Sequence, residues 1–439
     1  MSIRRFRGGV HPPEFKFSAG RPVEVLPPPG EMVLPLSMHL GAPAKPLVQG
    51  GERVLRGQAL AEPSGFVSAY IHSPVSGVVR KIEPRDHPLG KPLPSIVIDN
   101  DGQDETVAFT PLTDWQTADP AQLLEAVQRA GVVGMGGATF PTHVKLKPPA
   151  QFKIDTVIAN GVECEPYLTA DHRLMLEEPE RILTGLRIVL RILGVRKGRI
   201  GIERNKPDAI ALLRQKTAGA DDIEVVDLHV RYPQGAEKQL IFACTGRQVP
   251  TGGLPMNVGA VVQNVGTLAA IHDAVVLGQP VMERIVTVTG QAIKEPKNLR
   301  VRCGTPIHWL IEAAGGAIEP FAKVISGGPM MGLAQYNLNT PVIKGSSGVL
   351  CLPAAMVQAI DLRPCIRCGA CIRGCPAGLA PTDLVHQVQA NNFPEAESLG
   401  VLDCIECGSC AFGCPSGIPL VQWLRLGKAE VMARRKKSQ

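Results

Sequence analysis

The chain has 439 residues, which is enough for about three domains at about 150 residues each. Hydrophobic residues make up 44% of it and charged residues 20%, proportions typical of a globular protein. The net charge of +6 is spread thinly, apart from a basic run at residues 433–437, and this argues against a nucleic-acid partner.

The amino terminus, MSIRRFRGGVHPPE, carries charge but no apolar core, so we expect no secretory signal. No uninterrupted apolar run reaches the roughly 18 residues of a membrane span. Work at a membrane would therefore require other subunits to hold the chain there. In such a chain the 12 cysteines are better explained as metal ligands than as disulfides.

After an N-terminal segment at residues 1–30, residues 31–105 show short strands broken by Gly and Pro. The pattern GG, then GQ, then SPVSGVV resembles the barrel-sandwich fold of biotinyl and lipoyl domains. Phe66 stands at the position of their modified lysine, so we expect a packing module with no carrier function.

Residues 106–280 alternate amphipathic segments (120–130, 178–193 and 206–217) with short apolar runs (154–160, 199–203 and 223–230). This alternation predicts an α/β domain with a mostly parallel, Rossmann-like sheet. The glycine-rich stretch GVVGMGGATFPTHVK precedes the first apolar run. It is typical of a loop whose amides approach a phosphate-bearing ligand, although a simple tight turn explains it equally well.

Residues 281–345 predict a small β-grasp module of the SLBB type. Residues 346–425 contain the main cysteine motifs, and residues 426–439 form a basic tail. The fold class is therefore multidomain α/β and α+β, ending in an α-helical, ferredoxin-like domain.

The pattern C-x-x-C-x-x-C-x-x-x-C-P occurs twice, at an offset of 39 residues. It is the bacterial ferredoxin pattern for [4Fe-4S] clusters, in which the fourth Cys of each run binds the other cluster. We therefore assign one cluster to Cys365, Cys368, Cys371 and Cys414, and the other to Cys404, Cys407, Cys410 and Cys375. Zinc is a poor alternative because a third Cys so close crowds a tetrahedral site.

Ile366 and Ile405 each follow the first Cys of a motif, and we expect them to exclude water. The four other cysteines are expected to be small buried hydrophobic residues. They are Cys164, Cys244, Cys303 and Cys351.

Four segments resemble, in the same order, the motifs of the flavin-binding subunit of respiratory complex I. They are GMGGATFPTHVK, NGVECEP, GAEKQL and VVQNVGTL. Together with GGVHPPE, the β-grasp module and the paired cysteine motifs, they resemble the C subunits of Rnf ion-translocating electron transport complexes. The resemblance covers nearly the whole chain.

The resemblance implies FMN and NAD(H) sites in addition to two [4Fe-4S] clusters. The residues that it places at FMN are Gly134, Gly136, Gly137, Lys145, Asn160, Gln263 and Asn264. Those that it places at NADH are Phe140, Glu163, Glu165, Gly235 and Glu237. Carboxylates accept hydrogen bonds from ribose hydroxyls and disfavour the binding of a 2′-phosphate, so NAD is expected over NADP.

The resemblance also implies a function: hydride exchange between NADH and FMN, then single-electron transfer through the clusters, in a complex that couples ferredoxin–NAD electron transfer to ion translocation. His143 has no catalytic role in this scheme, since the cofactors carry the chemistry. The implied partners are integral membrane and ferredoxin-type subunits. The chain would be peripheral, on the cytoplasmic side of the inner membrane, with membrane contact mainly through those partners.

Two alternatives stay open. Val162, Ala236 and Pro148 depart from the complex I motifs, which leaves room for a non-catalytic electron-wiring adaptor with a degenerate flavin pocket. The other is a flavin module of a soluble NAD-linked hydrogenase or formate dehydrogenase, which the paired cysteine motifs disfavour.

Overall fold

A computed structural model describes residues 5–357 and 363–438. Residues 1–4, 358–362 and 439 belong to the predicted segments 1–30, 346–425 and 426–439, and they lie outside the described residues. The modules follow one another in the predicted order.

The first module is a pair of small antiparallel sheets around one core. The early strands are β1 (Val23–Val25), β2 (Glu31–Pro35), β3 (Lys45–Pro46), β4 (Arg53–Val54), β5 (Ala59–Glu62), β6 (Ile71–His72), β7 (Gly77–Arg85) and β8 (Leu93–Asn100). One sheet has the order β2-β8-β7-β4 and the other β3-β5-β6. Leu34, Leu60 and Ile98 from the two sheets share a buried cluster. Phe66 is 79% exposed.

The second module is the predicted α/β domain. Its elements are α1 (Pro120–Arg129), α2 (Thr142–Lys145), β9 (Thr156–Asn160), α3 (Ala170–Glu177), α4 (Pro179–Leu193), β10 (Gly198–Glu203), α5 (Pro207–Lys216), β11 (Ile223–Leu228), α6 (Glu237–Thr245), β12 (Ala260–Asn264) and α7 (Val265–His272). The four strands are parallel, in the order β11-β10-β9-β12.

This strand order creates a switch point between β9 and β12. From β9 the chain moves outward to β10 and β11, then crosses back to place β12 on the other side of β9. Loops that leave the two central strands diverge there, which opens a crevice at their carboxyl ends. Open α/β sheets bind ligands at this place.

The third module is a mixed sheet with one helix. Its elements are β13 (Glu283–Thr289), β14 (Lys297–Arg302), α8 (Ile307–Ala313), β15 (Lys323–Ser326), β16 (Leu333–Gln335) and β17 (Gly348–Leu352). The order is β1-β14-β13-β17-β15-β16, so the sheet takes β1 from the N-terminal segment. Its strand β17, which follows residue 345, pairs with β13 and β15.

The last module is helical. Its helices are α9 (Ala370–Gly374), α10 (Pro381–Gln389), α11 (Phe393–Ser398), α12 (Ser409–Phe412) and α13 (Leu420–Ser438). The predicted basic tail continues α13. Within the described part of the chain, no helix is both long and apolar enough to cross a bilayer.

Local sequence explains the main helix boundaries. The Asp119 side chain accepts from the Ala121 amide, and Gln122 completes a capping box at the start of α1. Helix α4 ends at Gly194, which has a φ of 65° that other residues rarely adopt. These signals explain why both helices were predictable.

Helices α4 and α7 cross at very close range. A Cβ placed on Gly185 of α4 would lie 1.9 Å from the carbonyl oxygen of Leu268 of α7. Only glycine allows this approach. Since α7 follows β12 directly, the contact also fixes one wall of the crevice.

Gly185→Ala should therefore lower the free energy of unfolding by about 1–3 kcal/mol, because the helices must separate to admit the methyl group. Urea unfolding followed by circular dichroism measures this change. Gly30→Ala is the matched control, since a Cβ at Gly30 meets no atom within 4 Å. Equal stability of the two variants would contradict the close packing.

Candidate functional site

The glycine-rich segment forms a closed loop over the carboxyl end of β12. The Gly134 amide donates to the Phe140 carbonyl at 2.9 Å. At the exposed tip, a Cβ on Gly137 would meet no atom within 4 Å, whereas one on Gly136 would lie 2.9 Å from Asn264 Nδ2. The tip therefore presents uncovered backbone at the switch point.

Both flanking modules hold this loop in place. The Leu40 amide of the barrel-sandwich module donates to the Thr139 carbonyl at 3.2 Å. Lys344 of the third module is buried, and its Nζ donates to the carbonyls of Gly131 at 2.7 Å and Tyr70 at 2.6 Å. Burial lowers the pKa of Lys344 to about 8. The loop is thus positioned by residues outside its own domain.

Three predicted flavin residues meet at the switch point. Asn160 and Asn264 are paired in register at the ends of β9 and β12. Their amide groups donate to the Gly235 carbonyl at 2.9 Å and to the Asp171 carboxylate at 2.6 Å. Gln263 is 3% exposed, and its Nε2 has no hydrogen-bond partner among the described residues. The asparagines therefore fix the loops, and Gln263 keeps a buried donor available to a ligand.

The predicted phosphate lysine and a predicted nucleotide carboxylate lie together. Lys145 Nζ donates to Glu237 Oε1 at 2.5 Å, and both side chains are partly exposed. Phe140 is half-buried at the end of the glycine-rich loop. His143 is half-buried in α2, and burial lowers its pKa.

The Glu163 carboxylate has a structural role. Its carboxylate accepts from the amides of Asp171 at 2.8 Å and His172 at 3.1 Å, which satisfies the first turn of α3. Glu163 itself adopts a φ of 44°, and the cap holds this unusual turn. The carboxylate thus shapes the crevice from within the loop.

Two lysines hold the loop at residues 161–168. Lys16 Nζ donates to the carbonyls of Glu163 at 3.0 Å, Glu165 at 2.8 Å and Leu168 at 2.7 Å. Burial lowers the pKa of Lys16, and the nearby charge of Lys206 lowers it further. Lys206 is buried and donates to a fourth carbonyl of this loop, that of Val162, at 2.7 Å.

Glu165 links the crevice to the third module and to the cysteines. Its carboxylate accepts from the amides of Met330 at 3.1 Å and Met331 at 3.0 Å, and Oε1 lies 3.4 Å from the Tyr232 hydroxyl oxygen. The Tyr232 hydroxyl donates to the Cys407 carbonyl at 2.8 Å. Desolvation raises the pKa of Glu165 to about 7.

Four cysteines line one cavity. Cys375 of the first motif joins Cys404, Cys407 and Cys410 of the second around this cavity. Burial raises the pKa of Cys404 to about 11 and that of Cys410 to about 12. Four soft sulfur ligands that converge on one cavity fit an iron–sulfur cluster.

The other four predicted ligands lie nearer the surface. Cys365 and Cys368 are exposed, Cys414 is half-buried and Cys371 is buried. The expectation that Ile366 excludes water is wrong, since this side chain is 68% exposed. The described residues leave Ile366 uncovered, whereas Ile405 lines the cavity of the second motif.

The departures from the complex I motifs have different structural consequences. Val162 is fully buried in the core of the sheet domain. Ala236 is the residue before α6, and Pro148 is half-buried after α2. Of the single cysteines, Cys244, Cys303 and Cys351 are buried as predicted. Cys164 is half-buried and accepts from the Gly235 amide at 3.4 Å.

Several positioning residues were missed from the sequence. Lys16, Lys206, Tyr232 and Arg284 all reach into the site from separate segments. The Arg284 guanidinium is buried and donates to the Met135 carbonyl in the glycine-rich loop at 3.2 Å. Only Tyr232 had a usable signal, because it lies in YPQGAEKQL beside Gly235.

Glu165→Gln should change the pH dependence of stability. Folded Glu165 keeps its proton to about pH 7, against an ordinary pKa of 4.5, so its contribution to folding is fully present below about pH 4.5 and is lost as the pH rises through 7. Between pH 5 and pH 8 the wild-type unfolding free energy should fall relative to that of E165Q by about 1–3 kcal/mol. Urea unfolding at both pH values measures this, and a constant difference would contradict the shift.

Family models match successive parts of the chain. Residues 4–103 match the RnfC barrel sandwich hybrid domain, 127–273 the Nuo51 FMN-binding domain, 285–334 the SLBB domain and 364–418 the 4Fe-4S dicluster domain. These matches confirm the predicted fold class and the predicted FMN and [4Fe-4S] cofactors. The exact domain boundaries stay predictions.

A solved structure shows a similar fold. The chain superposes on an NAD⁺-reducing [NiFe]-hydrogenase with a TM-score of 0.51 and 20% identity, over 75% of this chain and 69% of that one. At this identity the likeness extends to the fold alone.

Curated relatives are similar over nearly the full chain. The C subunit of the proton-translocating ferredoxin:NAD(+) oxidoreductase complex of Clostridium ljungdahlii is 49% identical, over 98% of this chain and 94% of the relative. Its Na(+)-translocating counterpart of Acetobacterium woodii is 45% identical, over 98% of each chain. The C subunit of the ion-translocating oxidoreductase complex of Pseudomonas aeruginosa is 44% identical, over 99% of this chain and 57% of the relative. The chain belongs to this family, the C subunits of the ion-translocating oxidoreductase complexes, and is an electron-transfer component of a multi-subunit complex.

Proposed function

We propose that this protein exchanges electrons between NAD(H) and two [4Fe-4S] clusters through FMN, within a complex that couples ferredoxin–NAD electron transfer to ion translocation. One observation carries the proposal: the crevice at the sheet switch point and the cysteine-lined cavity are joined through a single side chain, Tyr232. The names of the Clostridium and Acetobacterium relatives support the substrates.

The residues of the switch point fit FMN. Gly134, Gly136 and Gly137 would let backbone amides approach its phosphate side, and the buried Nε2 of Gln263 would donate to a polar atom of the ring. When bound, FMN accepts or returns a hydride with NAD(H) and exchanges electrons singly with the clusters. Lys145 would place positive charge beside the phosphate.

For the nicotinamide nucleotide, Glu237 is the best-placed of the predicted carboxylates. Its side chain is partly exposed at the start of α6, whereas Glu163 and Glu165 are engaged by backbone amides. We propose that Glu237 accepts ribose hydroxyls while Lys145 turns to the flavin phosphate. Gly235 and Phe140 would border the same entrance, with Glu163 and Glu165 shaping its floor.

Contacts between modules support an order for the clusters. The Cys375, Cys404, Cys407 and Cys410 set would hold the inner cluster, because the loop of Cys407 accepts from Tyr232 and the loop of Cys375 packs on Gly8. The set that contains Cys365 and Cys368 would hold the outer cluster, since both residues are exposed. Electrons from the crevice would reach the inner set first.

The proposal includes partners and location. Integral membrane subunits would hold the chain at the cytoplasmic side of the inner membrane, and a ferredoxin-type subunit would exchange electrons with it. Membrane contact would be made mainly by those partners. These assignments rest on the family and on the relatives' names.

The two earlier alternatives have unequal support. The hydrogenase likeness concerns the fold, whereas the relatives similar over the full chain are C subunits of ion-translocating complexes, which disfavours the soluble module. An electron-wiring adaptor remains the second candidate, because Val162 removes a polar group near the crevice and Glu163 and Glu165 are already engaged.

Anaerobic reduction by NADH separates the proposed function from the adaptor. The purified chain, reconstituted with iron, sulfide and FMN, should lose its visible flavin absorbance when NADH is added. Much weaker bleaching with NADPH is expected, since the carboxylates disfavour a 2′-phosphate. If FMN is bound but NADH does not bleach it, the result contradicts NADH oxidation by this chain and supports the electron-wiring adaptor.

Gln263→Leu should lower the affinity for FMN by about tenfold, because the ring loses a buried donor. The stability of the FMN-free chain should not fall, since Nε2 has no partner to lose. Quenching of FMN fluorescence on titration measures the affinity. Gln215→Leu, on the exposed face of α5, is the control and should bind FMN as the wild type does.

Cys375→Ala tests the cluster assignment. If Cys375 completes the inner set, the variant should lose the same electron paramagnetic resonance signal as Cys407→Ala and retain the signal that Cys368→Ala loses. Iron content should fall to about half in each variant. A spectrum of C375A that matches C368A would refute the exchange of fourth ligands between motifs.

A further inference from the structure

The two cysteine motifs are structural equivalents, but only the second has its first two cysteines covered. Cys404 and Cys407 of the second motif are 9% and 7% exposed. Their equivalents 39 residues earlier, Cys365 and Cys368, are exposed. The third cysteine is buried in both copies, Cys371 against α10, so the copies differ in their first two cysteines, which are covered in the second motif and exposed in the first.

Helix α13 supplies the cover of the second motif. Val421 and Leu424 line the cavity together with Ile405. The acidic residue of this motif, Glu406, pairs with Arg425 and Lys428 of α13, each at 3.2 Å. The covering surface is thus apolar at its centre and opposite in charge to the residue that it meets.

The first motif shows the same pattern with the charge reversed. Arg367 is the equivalent of Glu406, and the two share a left-handed backbone, with φ of 55° and 57°. Arg367 is exposed and has no carboxylate partner among the described residues. Helix α10, the equivalent of α13, ends at Gln389 and offers His386 and Gln389 where α13 has Arg425 and Lys428.

The exposed part of the first motif carries basic and apolar side chains. Residues 363–382 contain three arginines and no Asp or Glu. Two of these arginines, Arg367 and Arg373, flank the exposed side chains of Ile366 and Ile372 in sequence. We call the residues 363–373 the outer motif face.

We propose that the outer motif face is the docking surface for an acidic, ferredoxin-type electron carrier, whose carboxylates meet Arg367 and Arg373 and whose apolar centre covers Ile366. The inference rests on the proposed function, in which this motif holds the outer cluster. In each encounter one electron passes between the two clusters, so one partner is oxidised and the other reduced by one electron, and no proton or group is transferred. Opposite charges steer such encounters and favour the productive orientation.

The test uses the full-length protein with its clusters and a purified acidic two-[4Fe-4S] bacterial ferredoxin as the probe. In equilibrium titration at low ionic strength, Arg367→Glu should weaken binding by about tenfold, and the difference should shrink as salt screens the charges. Because the second motif carries a glutamate at the same backbone position, R367E is compatible with the loop.

Arg129→Glu is the matched control, since it makes the same charge change on an exposed helix of the flavin domain. It should bind the ferredoxin as the wild type does. Equal affinity of R367E and R129E would overturn the proposal. If R367E fails to retain iron, the pair Arg367→Gln and Arg373→Gln tests the same charges, and a salt dependence unchanged from wild type would overturn the proposal equally.

Chemical reduction separates this proposal from the proposed function. The chain is reduced with dithionite, freed of excess reagent and mixed with oxidised ferredoxin, so that NADH is not needed. Slower electron transfer in R367E than in R129E supports the docking surface even if NADH fails to reduce the flavin. A self-associated chain that R367E converts to monomers would instead assign the face to a second copy, and would overturn the proposal.

Discussion

Hydrogen bonds from two lysine ammonium groups to one loop hold the part of the molecule where its modules meet. Lys16 gives all three of its hydrogen bonds to carbonyls of the loop at residues 161–168. Burying such a charge is costly unless every donor is satisfied, so the loop has little freedom once Lys16 is in place. Glu163 and Glu165 lie in this loop, and they in turn fix α3 and the turn at Met330. Through Lys16, the N-terminal segment therefore helps to align the crevice, the β-grasp module and the loop of Cys407.

The accessory modules have a related role. Leu40 and Lys344 come from the modules on either side of the flavin domain, and both bind carbonyls in or beside the glycine-rich loop. A loop so rich in glycine is flexible, and its amides can select a ligand only if neighbouring residues hold them in place. The barrel-sandwich module is thus explained as a support for this loop.

Much of the fold was predictable because its signals are local. The alternation of apolar runs and amphipathic segments predicted β9, β10, β11, α1, α4 and α5, and the cysteine spacing predicted the ferredoxin-like domain. Contacts between distant segments left no such signal. The bond from Lys16 to Glu165 spans 149 residues, and that from Tyr232 to Cys407 spans 175. The exposure of Ile366 was missed for the same reason, since motif spacing is identical in both copies and says nothing about which copy a helix covers.

The unequal cover of the two motifs also bears on how the protein meets oxidants. Dissolved oxygen and peroxides react with sulfur that they can reach. Cys365 and Cys368 of the first motif are exposed, whereas the four cysteines around the cavity beside α13 are buried. Oxidative damage should therefore begin at the first cysteine motif. On the proposed cluster order, air would end electron exchange with external carriers before it broke the link between the inner set and the crevice.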